Sequence, residues 1–225
     1  MADRRADLFA TGRPQAVLFD WDNTLVDTWP VIYAALNATF AAFGLPEWTL
    51  AETRARVRRS MRDSFPELFG ARWEEAGVVF YEHFGRIHLA HLRAQPGAGA
   101  MLERLHAAGL WLGVVSNKKG DVLRREAAHL GWERLFGRLV GALDAPEDKP
   151  SPVPVALALQ ASGVADRGRV WFVGDTDVDL ECAVRAGCVP VLIRDVAPQT
   201  GEFATYPPEW HCLDCTSLCS RILNL

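Results

Sequence analysis

Asp20 and Asp22 stand two positions apart at the end of an apolar run, Ala16-Val17-Leu18-Phe19, and lead into Asn23 and Thr24. Alternate residues of a strand share a face, so both carboxylates can converge on one point. Two acids that close repel each other unless a cation lies between them or one is protonated. The plainer alternative is a polar strand-to-loop turn, because Asp and Asn are common turn residues. Three more clusters bear on that choice. Ser116-Asn117-Lys118 ends the apolar run Trp111–Val115, Gly174-Asp175-Thr176-Asp177-Val178-Asp179 ends Val170–Val173, and Lys149 stands just before Pro150-Ser151-Pro152. At one edge of a sheet, such carboxylates, hydroxyl and lysine make a site for a hard cation and a phosphate. Oxygen donors suit Mg²⁺, which usually takes one or two carboxylates plus phosphate.

The elements that must bring these clusters together are legible as runs. Ala16–Phe19, Trp111–Val115, Val170–Val173 and Val189–Ile193 lack polar alternation, as strands buried on both faces of a parallel sheet do. Helical patterns lie between them: Gly97–Ala108, Asp121–Leu130 and Val153–Ala161, the last with Ser151 as N-cap, Pro152 in its first turn and Gly163 past its end. Strands alternating with helices indicate an α/β fold with a Rossmann-like open parallel sheet. In open sheets of this kind ligands bind at the carboxyl ends of the strands, where the polar clusters stand.

The stretch from Thr28 to Gln95 breaks the alternation and reads as helical: Val31–Phe43, Leu50–Arg62 and Arg72–Leu92, punctuated by Gly44-Leu45-Pro46 and by Pro66 to Gly70. It is too long for a loop. The expected organisation is a core of residues 1–27 and 96–225 with a second, helical domain of residues 28–95 inserted after the first strand.

Taken in order, Asp-x-Asp-x-Thr, Ser-Asn, Lys-Pro and Gly-Asp-x-x-x-Asp resemble the motifs of the haloacid dehalogenase superfamily, and the resemblance runs from about Pro14 to the C-terminus. The branch it is most similar to is phosphoglycolate phosphatase-like, through Asp20–Thr28 and Lys149-Pro150-Ser151-Pro152. The resemblance implies a Rossmann-like core with a helical cap and a Mg²⁺-dependent phosphomonoester phosphatase acting on a small phosphorylated metabolite. It implies that Asp20 is the nucleophile and a metal ligand. Asp22 is then the general acid–base, with its backbone carbonyl as a further ligand. Asp175 ligates Mg²⁺, Asp179 completes the metal set by orienting bound water, and Ser116, Asn117 and Lys149 hold the phosphoryl group. Thr24 hydrogen-bonds close to the nucleophile. In the cap, Arg58, Arg59 and Arg62 are candidates for binding an acidic leaving group. Relatives often carry a glycine where Val57-Arg58-Arg59-Ser60 has none, which leaves the substrate open.

Rival chemistries fit less well. A sugar-phosphate mutase shares the acid pair but resembles a form with glycine where Asn23 stands. Dehalogenases lack the second acid, Asp22. A phosphonate hydrolase needs a cap lysine for its Schiff base, and residues 28–95 contain no lysine. A regulatory protein that keeps the fold without turnover is the alternative from outside enzymology.

Composition narrows the setting. The 225 residues carry a net charge of −4, a poor match to a nucleic-acid footprint. No run approaches the roughly 20 apolar residues of a membrane span, and the N-terminal apolar run is too short for a secretory signal. Five cysteines, an odd number without such a signal, suggest reduced thiols in a cytoplasm. His211-Cys212-Leu213-Asp214-Cys215 with Cys219 lacks a second matching pair for zinc and reads as packing in a last strand and helix. Composition says nothing of oligomeric state.

Overall fold

The computed structural model describes residues 12–57 and 61–225. In chain order, β1 (Ala16–Phe19) and the short β2 (Val26–Asp27) precede α1 (Trp29–Ala42), α2 (Leu50–Arg56), α3 (Met61–Phe69) and α4 (Trp73–His91). The short β3 (Arg93–Ala94), which pairs with β2, leads to α5 (Ala98–Ala107), β4 (Trp111–Lys119), α6 (Gly120–His129) and β5 (Arg138–Ala142). Then come α7 (Val153–Ala158), β6 (Val170–Gly174), α8 (Asp177–Arg185), β7 (Val189–Ile193), β8 (Trp210–Cys212) and α9 (Cys215–Leu223). Val26–Arg93 forms one compact unit; the chain up to Leu25 together with Ala94–Leu225 forms the other.

In the larger unit the sheet order is β5-β4-β1-β6-β7-β8, every neighbouring pair parallel, so the α/β expectation holds. β1, β6 and β7 are buried along their whole length, which is why they read as unbroken apolar runs. The order reverses at β1, which sits between β4 and β6, and such a reversal is where an open sheet forms a crevice. β5 went unread because Gly141 weakens its strand pattern. That glycine is required: a Cβ there would lie 2.5 Å from Gly120 Cα, where α6 begins. β4 also runs further than Val115 and takes in Ser116, Asn117 and Lys118. At α7, Pro152 rather than Ser151 occupies the cap position and the helix stops at Ala158.

The smaller unit is helical around a run of aromatics in mutual contact. Phe65 lies 5.0 Å from Phe69 and 5.6 Å from Phe80, and Phe80 is 5.7 Å from Phe84, by ring centroids. The expected single helix Leu50–Arg62 is not one helix. α2 stops at Arg56, with Val57 extended (φ −84°, ψ 95°), and α3 starts at Met61. The expected break at Pro66 falls inside α3 instead. Burial of Phe65 and Phe69, one helical turn apart, outweighs the hydrogen bond that proline removes. Among the described residues no helix is long and apolar enough to cross a membrane.

Candidate active site

Parallel register delivers the polar clusters to one edge of the sheet. Phe19 is level with Val114 on one side and Val173 on the other, so the residues that follow each emerge together. Asp20 N donates to Val173 O at 2.8 Å, extending the pairing one residue past β1. Asn23 then takes φ 64°, a left-handed backbone that asparagine tolerates better than most side chains.

Lys149 is the hub of the first charge cluster. Its Nζ donates to Asp20 Oδ1 at 2.6 Å and to Asp179 Oδ1 at 2.7 Å, with only 4% of its side chain exposed. Asn117 fixes the lysine's backbone: Asn117 Nδ2 donates to Lys149 O at 3.1 Å, and Lys149 N donates to Asn117 Oδ1 at 2.9 Å. The second oxygen of Asp179 accepts from Thr176 N (3.0 Å) and Thr176 Oγ1 (2.8 Å) at the start of α8. Gly174 makes that approach possible, since a Cβ there would lie 2.3 Å from the Asp179 side chain. Thr24 Oγ1 donates to Asp175 Oδ1 at 3.3 Å. One oxygen each from Asp20, Asp175 and Asp179 lies within 4.8 Å of the others.

These acids are not at ease as anions. Burial pushes the Asp20 carboxyl up to about 7; Lys149 opposes that rise, while Asp179 and Asp22 add to it. Asp175 is held well above the usual carboxylate range by burial, then by Asp179 and Asp20. Lys149 goes the other way. Burial alone would lower it, but Asp179 and Asp20 outweigh that and raise it. One ammonium against three close carboxylates leaves the cluster short of positive charge. All its donors are oxygens, so a hard divalent cation fits both the charge and the chemistry of the set.

Asp22 belongs to a different network. Lys118 Nζ forms an ion pair with Asp22 Oδ1 at 2.6 Å and donates to Glu126 Oε2 at 2.6 Å. Trp21 Nε1 donates to that same Glu126 oxygen at 2.7 Å. Trp21 is fully buried and is gripped edge-on by Trp132 at 5.9 Å and Phe136 at 6.4 Å. Lys118 is raised above its ordinary value: burial works against its charge, and Asp22 and Glu126 more than compensate. Ser116, buried on β4, accepts from Lys118 N at 3.2 Å through Oγ.

Sequence reasoning passed over Lys118, Glu126 and the indole of Trp21. A signal was available, because Glu126 sits among Val122, Leu123 and Ala127 on the buried face of α6, and a carboxylate in such a stripe requires a partner. Asp177 is exposed at the start of α8. Of the three arginine candidates, Arg58 and Arg59 lie outside the described residues, and Arg62 sits half-buried on α3. All five cysteines are free and buried.

The chain is similar to known proteins in sequence and in fold. Residues 17–193 match the family described as haloacid dehalogenase-like hydrolase. A phosphoglycolate phosphatase of Xanthomonas campestris is 34% identical over 178 residues, covering 77% of this chain and 80% of that one. One from Neisseria meningitidis is 32% identical over 210 residues, covering 87% and 88%. Among solved structures, a haloacid dehalogenase-like hydrolase from Streptococcus pneumoniae superposes with a TM-score of 0.81 at 21% identity, covering 92% of this chain and 98% of its own, a likeness of fold.

Proposed function

The chain belongs to the haloacid dehalogenase-like hydrolases and is a phosphatase among them, and on that premise we propose that it hydrolyses a small phosphorylated metabolite through a phosphorylated Asp20. The observation that carries the reading is the convergence of Asp20, Asp175, Asp179 and Lys149. Mg²⁺ is the cation this reading assigns to the three carboxylates, where it would screen charge on the transferring phosphoryl group.

In the first half-reaction an oxygen of Asp20 bonds to phosphorus as the ester P–O bond breaks. The proton on Asp22 passes to the departing oxygen, so the leaving group exits as an alcohol. In the second half-reaction a water oxygen attacks the same phosphorus. Its proton goes to Asp22, the bond to Asp20 breaks, and inorganic phosphate is released with both acids restored. Lys149, Ser116 and the Asn117 amide hold the phosphoryl oxygens throughout, and Thr24 steadies Asp175. Splitting one displacement into two places each charged step among groups already oriented for it.

Asp20→Asn tests this directly. Turnover of 4-nitrophenyl phosphate falls by at least about 10⁴-fold, since the nucleophile is gone while the fold is kept. Wild-type-like activity in that variant, or activity indifferent to chelation by EDTA, overturns the mechanism. A panel of phosphorylated metabolites, with phosphoglycolate first because relatives carry that name, then identifies the leaving group. A reducing, cytoplasmic setting is part of the same reading and is supported by the five buried free thiols.

A further inference from the structure

We propose that Lys118, tethered by Glu126 and Trp21, is a positioning residue that fixes the orientation of the Asp22 carboxyl for proton transfer. The inference rests on the role of Asp22 proposed above. Asp22 needs such a device because it stands on the turn after β1 with its side chain 21% exposed, outside the group of acids around Lys149. A carboxyl there has free rotation about its side-chain bonds unless a neighbour restrains it, and a proton donor off by an ångström loses much of its effect.

The restraint is built from the interior outward. Trp21 is packed edge-on against two aromatic rings and holds Glu126 through its indole N–H. Glu126 is 0% exposed and holds Lys118, itself 6% exposed, on the oxygen the indole also uses. Lys118 in turn reaches one oxygen of Asp22 at 2.6 Å. Trp21 and Glu126 are fully buried and exposure then rises through Lys118 to Asp22, so the order at Asp22 is inherited from the core. With one Asp22 oxygen committed to the ammonium, proton transfer falls to the other. Trp21 and Asp22 are adjacent in sequence, so the chain of contacts closes into a ring through α6 and β4. The proton account is unchanged by it: the proton moves between Asp22 and the ester or water oxygen, and Lys118 keeps its own.

Two esters of similar shape separate this role from others. Nitrophenolate leaves without a proton, whereas the benzyl alkoxide of benzyl phosphate requires one. With Mg²⁺ present, Lys118→Met is expected to slow the first turnover of benzyl phosphate about 10²-fold. The first-turnover burst on 4-nitrophenyl phosphate changes less than about 5-fold, while its steady-state turnover falls as well, because Asp22 is also the base of the second half-reaction common to both esters. Lys118→Arg restores part of the loss. Glu126→Gln acts in the same direction, more weakly, and adds nothing in a Lys118→Met background, because it works through the lysine. If Lys118→Met alone fails to fold because Glu126 loses its ammonium, the Lys118→Met/Glu126→Gln double variant carries the same test.

Equal losses of the first-turnover rate on both esters, with weaker inhibition by inorganic phosphate, make Lys118 a phosphate anchor and overturn the proposal. No kinetic change in a folded variant overturns it as well. Asp22→Asn is the control. If it separates the two esters and Lys118→Met does not, the inference falls alone. If Asp22→Asn hydrolyses both normally, the assignment of Asp22 falls and takes the inference with it.

Discussion

Asp20 must be an anion to attack phosphorus, yet it lies among buried acids that resist its ionisation. Its carboxyl is pushed from an ordinary 3.8 up to about 7, first by burial. The folded protein therefore holds that proton more tightly than the unfolded chain does. Stability present below about pH 4 is lost as pH rises towards 7 and stays lost above it. Asp20→Asn removes the penalty, so at pH 8 in EDTA the variant is expected to melt several degrees above the wild type. The gap closes at pH 4.5, where wild-type Asp20 is protonated in the fold, and narrows at pH 8 when saturating Mg²⁺ supplies the opposing charge. Differential scanning fluorimetry across that range decides it. Identical melting of the two proteins at pH 8 shows that the acid carries no such cost. The same residue is thus a gain for turnover and a burden on folding, as expected of a site arranged for chemistry.

Elements set the distances that these residues rely on, and glycines show where they approach most closely. Gly174 ends β6 against the Asp179 side chain, so Gly174→Ala must push α8's first turn away from Lys149. We expect kcat to fall about 10–100-fold with a higher Mg²⁺ requirement, as when the supports of a metal site are disturbed. Gly109→Ala is the contrast. Gly109 has φ 80° with nothing within 4 Å of an added Cβ, so the change costs roughly 1 kcal/mol of backbone strain and leaves kcat intact. Full kcat in a folded Gly174→Ala protein refutes the coupling of β6 to α8. Asp20, Asn117, Asp175 and Asp179 were legible as a group because continuous apolar runs mark parallel strands and polar residues at their ends share an edge. Lys149 was legible from its place before a proline-marked turn. The pairing of Lys118 with Glu126 was not, since it joins a strand end to a helix face and has no sequence period. β5 was hidden by the glycine that lets it pack, and the run through Pro66 by an aromatic core that tolerates a proline.

Across the molecule, the burial of the cysteines ties the titration of five thiols to the core. All five fall in the unit that contains the sheet, all are buried, and burial is the first cause of the rise in each thiol. Cys182 and Cys188 are pushed up from 9.0 to about 12 and Cys215 to about 11. A thiolate is the reactive form, so the native protein should resist iodoacetamide at pH 8 while the urea-unfolded chain takes up label at every cysteine. The same shifts tie stability to alkaline pH. Above about pH 9 the unfolded chain sheds thiol protons that the fold retains, and each such group costs up to about 1.4 kcal/mol per pH unit until its native value is reached. Urea melts at pH 8 and pH 10 should therefore show a loss of stability. That loss should shrink in Cys182→Ala/Cys188→Ala, which removes two of the most shifted thiols and leaves the tyrosines and lysines in place. An unchanged slope in that variant assigns the alkaline loss to those other groups and removes the thiols from the account.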